Sequence, residues 1–213
     1  DTFTAIGKDN YGKSIKKFSN VTAENIKEIN NDPIIKRVEI NGNIPFVDTK
    51  ESSLVLLDSP GTNFVEDATH KEATLKMIKE SLKVLVLFII DAGNASTSDQ
   101  EDLFKAINEA MNSKEDKKLK ERFLFVINKM DMLFEDIEKN PEINLQDVIN
   151  KIINPLKKFG IKNPNVFPVS AGMALKIRNI NRISNREKAK LYADIDYLNE
   201  TKEFHLEKYS KLP

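Results

Sequence analysis

Arg122 to Asp131 reads RFLFVINKMD, an apolar run that ends in Asn128-Lys129-Met130-Asp131. Phe123 to Ile127 show no polar alternation, the pattern of a strand buried on both faces in a parallel sheet. The polar cluster therefore falls at the carboxyl end of that strand, where open α/β sheets bind their ligands. Asn-Lys-x-Asp suits a guanine base. An ionised Asp131 can accept from the ring N–H and the exocyclic amine of guanine. Asn128 can donate to the acceptors of the ring, and the Lys129 stem can lie against its face. Adenine lacks that pair of donors. A structural alternative stands beside this one: Asp131 also precedes an apolar stretch and could be a helix N-cap with flanking surface charge.

The whole chain bounds what surrounds this strand. At 213 residues it is expected to be one domain, with room for a sheet carrying helices on both faces. Lys plus Arg equals Asp plus Glu at 33 each, so no bulk attraction to nucleic acid or to an acidic membrane is expected. Cysteine is absent, which removes disulfides and thiolate metal sites and is compatible with a reducing cytoplasm. The longest apolar run, Val84 to Ile90, is too short to span a bilayer.

Upstream, Gly7 to Ser14 match the phosphate-binding pattern G-x-x-x-x-G-K-S, with Gly7, Gly12, Lys13 and Ser14 at its fixed positions. A working phosphate loop joins a buried strand to a helix whose N-terminal amides hold the phosphates. Thr2 to Ile6 instead alternate polar and apolar residues. After Phe18, the run Ser19-Asn20-Val21-Thr22 reads as a break, leaving about one turn for the helix that the pattern needs. Tyr11 is also bulky for a loop that must wrap phosphate. Two readings stay open, a phosphate loop and an accidental match, and the context favours the second. The next helix is expected to start at Thr22 and to run through AENIKEIN.

Residues 34–40 and 44–47 flank Asn41-Gly42-Asn43 and read as a hairpin. Ser53 to Gly61 (SLVLLDSPG) reads as a second apolar strand ending in a carboxylate and a tight turn. Asp58 could hold a water of a magnesium ion, and the Gly61 amide could approach a terminal phosphate because no side chain intervenes. A plain strand-to-turn exit would look the same. Ala68 to Lys83 has helical spacing. Val84 to Asp91 is the most apolar strand and is expected at the centre of the sheet. Ser98 and Glu101 read as a capping box opening a helix to Met111.

Beyond Asp131 the spacing predicts one short and one longer helix stopped at Gly160. A last strand and turn follow, Asn165 to Gly172. Ser170 and Ala171 fall one strand after the guanine cluster, and the small Ala171 would let its amide donate to the O6 of a purine. Met173 to Lys190 is mostly basic and reads as a solvated helix face, with a partner or lipid contact as the alternative. His70 and His205 are isolated.

Taken in order, Asp58-Ser59-Pro60-Gly61, Asn128-Lys129-Met130-Asp131 and Ser170-Ala171-Gly172 resemble three successive signature motifs of the translation-factor-related GTPases. The stretch LVLLDSPGTNFVEDATHKE is similar to the bacterial dynamin-like proteins, and the resemblance covers residues 34–172. It implies an α/β, P-loop-NTPase-like GTPase domain with a mostly parallel sheet, helices on both faces and an antiparallel edge hairpin, truncated at both ends. It implies GTP/GDP and Mg2+ as ligands. Asp58 and Gly61 would serve magnesium and phosphate, and Asn128, Lys129, Asp131, Ser170 and Ala171 the base. In that family the phosphate loop lies well upstream of the D-x-P-G turn. The true loop and the water-positioning group are therefore expected before residue 1, and this chain is expected to be part of a larger protein. The implied activity is GTP hydrolysis driving self-assembly and membrane remodelling. Self-association would occur across the nucleotide face, and membrane contact through regions outside this chain. Nucleic acid is not an expected partner, and the place would be the cytoplasm, peripheral to a membrane. The competing reading is a small GTP-dependent switch or binding module that uses Gly7–Ser14. A third is a scaffold that binds no nucleotide.

Overall fold

A computed structural model of the chain describes residues 3–44, 54–58, 85–93, 101–112, 122–140, 142–201 and 205–210. The chain falls into two compact units, Asp1–Leu57 and Asp58–Pro213. The first holds a three-stranded antiparallel sheet and the second a three-stranded parallel sheet. The architecture is α/β.

In the first unit, β1 (Thr4–Lys8) lies between β2 (Ser14–Ser19) and β3 (Arg37–Asn41), antiparallel to both. Helix α1 (Ala23–Asn30) starts where the sequence indicates, because the Thr22 hydroxyl accepts from the Asn25 amide and the Asn25 side chain accepts from the Thr22 amide. This reciprocal capping satisfies two amides that the first helical turn leaves open. Ala5 and Ile29 are fully buried. Around that small core, ion pairs tie the elements together: Lys8 to Glu39 at 2.6 Å, and Lys16 to Glu28 and Asp32 at 3.1 and 3.3 Å. Lys8 accordingly holds the Glu39 carboxyl below its usual range, and Glu28, followed by Asp32, holds the Lys16 ammonium above its own.

Two expectations for this region are corrected or fall outside it. Residues 54–57 form no strand: Leu54, Val55, Leu56 and Leu57 carry no ladder and stand exposed, Val55 at 73%. Apolar, β-branched residues favour a strand only when a neighbouring strand takes up their N–H and C=O groups and another layer covers their side chains. Among the described residues neither is supplied. The hairpin expected around Asn41-Gly42-Asn43 has its first arm in β3, which pairs with β1, while its second arm lies outside the described residues from Pro45 onward.

The second unit is organised around β5 (Phe123–Asn128), flanked in parallel by β4 (Val86–Asp91) and β6 (Asn165–Pro168). Val84 to Asp91 was expected to be central. Among the described residues β4 pairs with β5 alone and forms an edge, and its Leu87 and Ile89 stand exposed. Hydrophobicity reports burial, and it does not report the order in which strands line up. Burial along β5 alternates, with Phe123, Phe125 and Ile127 buried and Leu124 and Val126 half-buried. One face of the sheet is therefore the better sealed. On it Phe88 meets Phe104 and Phe125, with ring centroids 5.4 and 5.9 Å apart.

Helix α2 (Glu101–Met111) supplies Leu103, Phe104, Ile107 and Met111 to that core. The short α3 (Phe134–Lys139) follows, and then α4 (Leu145–Lys158) brings Leu145, Ile149, Ile152, Ile153 and Leu156. These recur at three- and four-residue steps, one stripe of a helix. Each fully buried Ile, Leu or Phe is worth about 1.5–3 kcal/mol relative to exposure. The last elements are α5 (Ala171–Arg178) and α6 (Asn185–Glu200). The Ser98 cap and the helix expected over Ala68 to Lys83 lie outside the described residues.

Gly160 ends α4 in the left-handed region, with φ at 89°, and a Cβ built there would sit 2.9 Å from the Asn108 side-chain nitrogen. Replacing it should cost about 1–2 kcal/mol for the backbone alone. Urea unfolding of Gly160→Ala is expected to show that loss, and an unchanged midpoint would mean that the helix end tolerates another conformation.

Candidate guanine-recognition site

Parallel pairing brings three strand ends to one edge. Asp91 is in register with Asn128, and Ile127 with Pro168, so the residues after β4, β5 and β6 emerge side by side. The Val169 amide donates to Ile127 O at 2.8 Å, and the Met130 amide donates to Val169 O at 3.2 Å. The turn after β5 is thereby locked to the turn after β6. Buried Met130 anchors the same turn from below.

Asn128 is the joint of this edge. Its Oδ1 accepts from the Lys129 amide at 2.8 Å and from the Ala171 amide at 3.0 Å. With the oxygen engaged twice, the orientation of the amide is set and its NH2 is the end left to present. Lys129 follows in the left-handed region with φ at 65°. That conformation costs a non-glycine residue about 1–2 kcal/mol, and the Asn128 contact to its amide helps to hold it. The Lys129 ammonium lies 2.6 Å from Asp91 Oδ2.

Asp131 is not a helix N-cap. The short 3-10 turn Met130–Leu133 has Lys129 at its cap position, and Asp131 lies inside the turn. Its carboxylate takes a hydrogen bond from the Ser170 hydroxyl instead. Ser170 in turn precedes α5 without capping it through its side chain. Both residues thus forgo the local hydrogen bonds that their types usually make beside a helix, and make a long-range one. A carboxylate can accept about four hydrogen bonds, so Asp131 keeps acceptor capacity after the one from Ser170.

The arrangement offers one donating amide, one fixed carboxylate and one lysine stem within a single turn. This donor and acceptor set fits the edge of guanine, which presents acceptors at N7 and O6 and donors at N1 and N2. The Ala171 amide, expected to reach O6, is engaged with Asn128 Oδ1 in this structure.

The other sequence candidates are Asp58, Gly61 and Gly7 to Ser14. Asp58 is described, exposed and outside any strand, and Gly61 lies outside the described residues. Gly7 to Ser14 form a hairpin. Gly7 sits within β1, where a Cβ would come within 2.5 Å of Ile35 Cδ1, and Gly12 supplies a left-handed φ of 79° to the turn. Asp9 Oδ1 closes that turn by accepting from the Tyr11 and Lys13 amides, each at 2.9 Å. Lys13 is exposed and Ser14 opens β2. Both glycines are thus accounted for by packing and turn geometry, and a second strand follows where a phosphate loop would start a helix. Among the described residues no group of three or more His, Cys, Asp or Glu could hold a metal ion. Magnesium commonly takes one or two carboxylates and completes its shell with phosphate and water, a demand that Asp58 alone could meet on the protein side.

Sequence reasoning missed Asp91. A carboxylate closing the strand that neighbours the cluster was the available signal.

A family model described as 50S ribosome-binding GTPase matches residues 2–129. Its span takes in Gly7–Ser14 and ends within the Asn128–Asp131 cluster. Neither a curated protein nor a solved structure matches the chain.

The Ser170 hydroxyl is the fixed partner of Asp131, so Ser170→Ala should free the carboxylate and weaken binding of GDP to the 213-residue chain about tenfold. Chemical-shift titration measures this, and an unchanged dissociation constant would show that Asp131 needs no support from the neighbouring loop.

Proposed function

We propose, since this chain belongs to the 50S ribosome-binding GTPase family, that the edge formed by Asn128, Lys129, Asp131, Ser170 and Ala171 binds the guanine of GTP and GDP. GTP binding and hydrolysis are the general activity of the family. The finer reading is the GTP-binding and GTP-hydrolysing domain of a dynamin-like protein, which couples the GTP/GDP cycle to self-assembly across the nucleotide face and to membrane remodelling. One observation carries the base assignment: Asn128 and Asp131 are each locked by the loop that holds Ser170 and Ala171. Support for the dynamin-like assignment is the stretch LVLLDSPGTNFVEDATHKE between residues 54 and 72.

On this reading Asp131 accepts from N1–H and from the exocyclic amine, the Asn128 NH2 donates to the ring, and the Lys129 stem covers one face. Adenine would turn an acceptor toward the Asp131 carboxylate and leave it unpaired, a mismatch that hydrogen-bonding pockets reject strongly. Hydrolysis proceeds by in-line attack of water, helped by positioning and charge neutralisation. Magnesium supplies positive charge beside the phosphates. Asp58 would hold it through water, and the Gly61 amide would meet the terminal phosphate. Among the described residues no helix is long and apolar enough to cross a membrane; the proposed membrane action is peripheral, from the cytoplasm and through regions outside this chain, and the even balance of 33 basic and 33 acidic residues gives no bulk attraction to nucleic acid.

A second reading keeps Gly7–Ser14 as the phosphate loop of a small GTP-dependent switch. The family match favours it by beginning at residue 2, and the hairpin geometry opposes it.

Three measurements test the proposal. Guanine nucleotides should outcompete adenine nucleotides, and Asp131→Asn should shift preference toward xanthine nucleotides, whose second carbonyl replaces the amine. Equal competition by ATP would remove the base assignment. Residues 1–213 should hydrolyse GTP no faster than buffer, because a hairpin turn offers no helix N-terminus to the phosphates. Turnover that Lys13→Ala abolishes would establish the second reading. GTP-dependent self-association of the chain, read by light scattering, checks the dynamin-like assignment, and an oligomeric state that ignores the nucleotide counts against it.

A further inference from the structure

Lys129 is held at both ends. Its amide is tied to Asn128 Oδ1, and its ammonium lies 2.6 Å from Asp91 Oδ2, although its side chain is 54% exposed. An exposed lysine ordinarily samples many rotamers, and ordering it when a ligand binds opposes affinity. Asp91 is itself fixed. It ends β4 in register with Asn128, and its Oδ1 accepts from the Gly93 amide at 2.9 Å. The Ala92 amide, between them, donates to Asn128 O at 2.9 Å. The carboxylate thus belongs to a rigid strand end and turn, and its second oxygen is the one that meets the lysine.

We propose that Asp91 is a positioning residue of the guanine site: it holds the Lys129 stem in place across the edge before the nucleotide arrives. It touches no ligand and acts through Lys129. The inference rests on the guanine reading above and adds to it a residue from a third strand end. Asn128 and Asp131 are each held by the loop after β6, and Lys129 is held from the opposite side by the turn after β4. The cluster is thereby tied to both neighbours of β5.

The test is a double-mutant cycle read by GDP titration of the whole 213-residue chain. Asp91→Asn keeps an oxygen for the Gly93 amide and removes the charge that attracts Lys129. It should weaken GDP binding about tenfold, the scale set by ordering one long side chain. In a Lys129→Ala background the same substitution should cost nothing further, and Asp91→Glu in the Lys129 background should recover most of the affinity. If Asp91→Asn does not fold, Asp91→Ser serves, since its hydroxyl can still accept from the Gly93 amide. Equal losses with and without Lys129 would mean that Asp91 only supports the turn, and would overturn the proposal. Unchanged binding with Lys129 present would overturn it too. A wild-type chain that shows no GDP binding would bring down the guanine reading itself, which separates that failure from the failure of Asp91 alone.

Discussion

One side-chain oxygen carries two of the contacts that hold the strand-end edge together. Asn128 Oδ1 accepts the amide of its own successor and the amide that opens α5. Without it, the left-handed turn at Lys129 would lack one of its restraints, and the link between the loops after β5 and β6 would rest on the backbone contacts of Val169 and Met130 and on the Ser170 hydroxyl among the hydrogen bonds described. The constraint arises from parallel pairing. Neighbouring parallel strands end on the same side, so residues distant in sequence meet as loop neighbours, and a side chain that bridges two loops fixes both.

The polar residues of this edge illustrate how local and long-range hydrogen bonding compete. Ser and Asp near helix starts usually cap them, worth about 1 kcal/mol. Thr22 and Ser184 do so in this protein, each within a reciprocal capping box. Ser170 and Asp131 instead bond to each other across the two loops. The stability that capping would bring is relinquished where a fixed carboxylate is wanted, a pattern expected at functional sites.

What could be read from the sequence follows the range of the interactions involved. The α1 start at Thr22, the short and the longer helix beyond Asp131 and the stop at Gly160 depend on neighbours within a few residues, and the structure has them where the pattern places them. The cluster Asn128–Asp131 was legible because a buried strand followed by polar residues marks a strand end whatever the strand order. Strand order was not legible. Val86 to Asp91 is apolar enough for a central position and pairs on one side among the described residues. Leu54 to Leu57 look equally strand-like and have no ladder there. Asp91 is visible in the sequence only as a carboxylate that closes an apolar strand; its contact with a lysine 38 positions away is recorded by no local pattern.

Gly7 to Ser14 show the same limit from the other side. The pattern G-x-x-x-x-G-K-S names residue types that free the backbone and carry a cation, and a tight hairpin needs freedom of the backbone at similar spacing. Gly7 leaves room for the Ile35 side chain that passes over it, and Gly12 supplies the positive φ of the turn. What separates the two outcomes is the segment that follows. Ser14 to Ser19 pair with β1, with Phe18 opposite Ala5, Lys16 opposite Gly7 and a bulge at Ile15, and Lys16 is drawn to Glu28 and Asp32 at the C-terminal end of α1. A helix starting at Ser14 would break that ladder and remove Lys16 from both carboxylates. The meaning of the two glycines is therefore decided by residues 15–18 and by the acidic groups that face them, not by the glycines themselves.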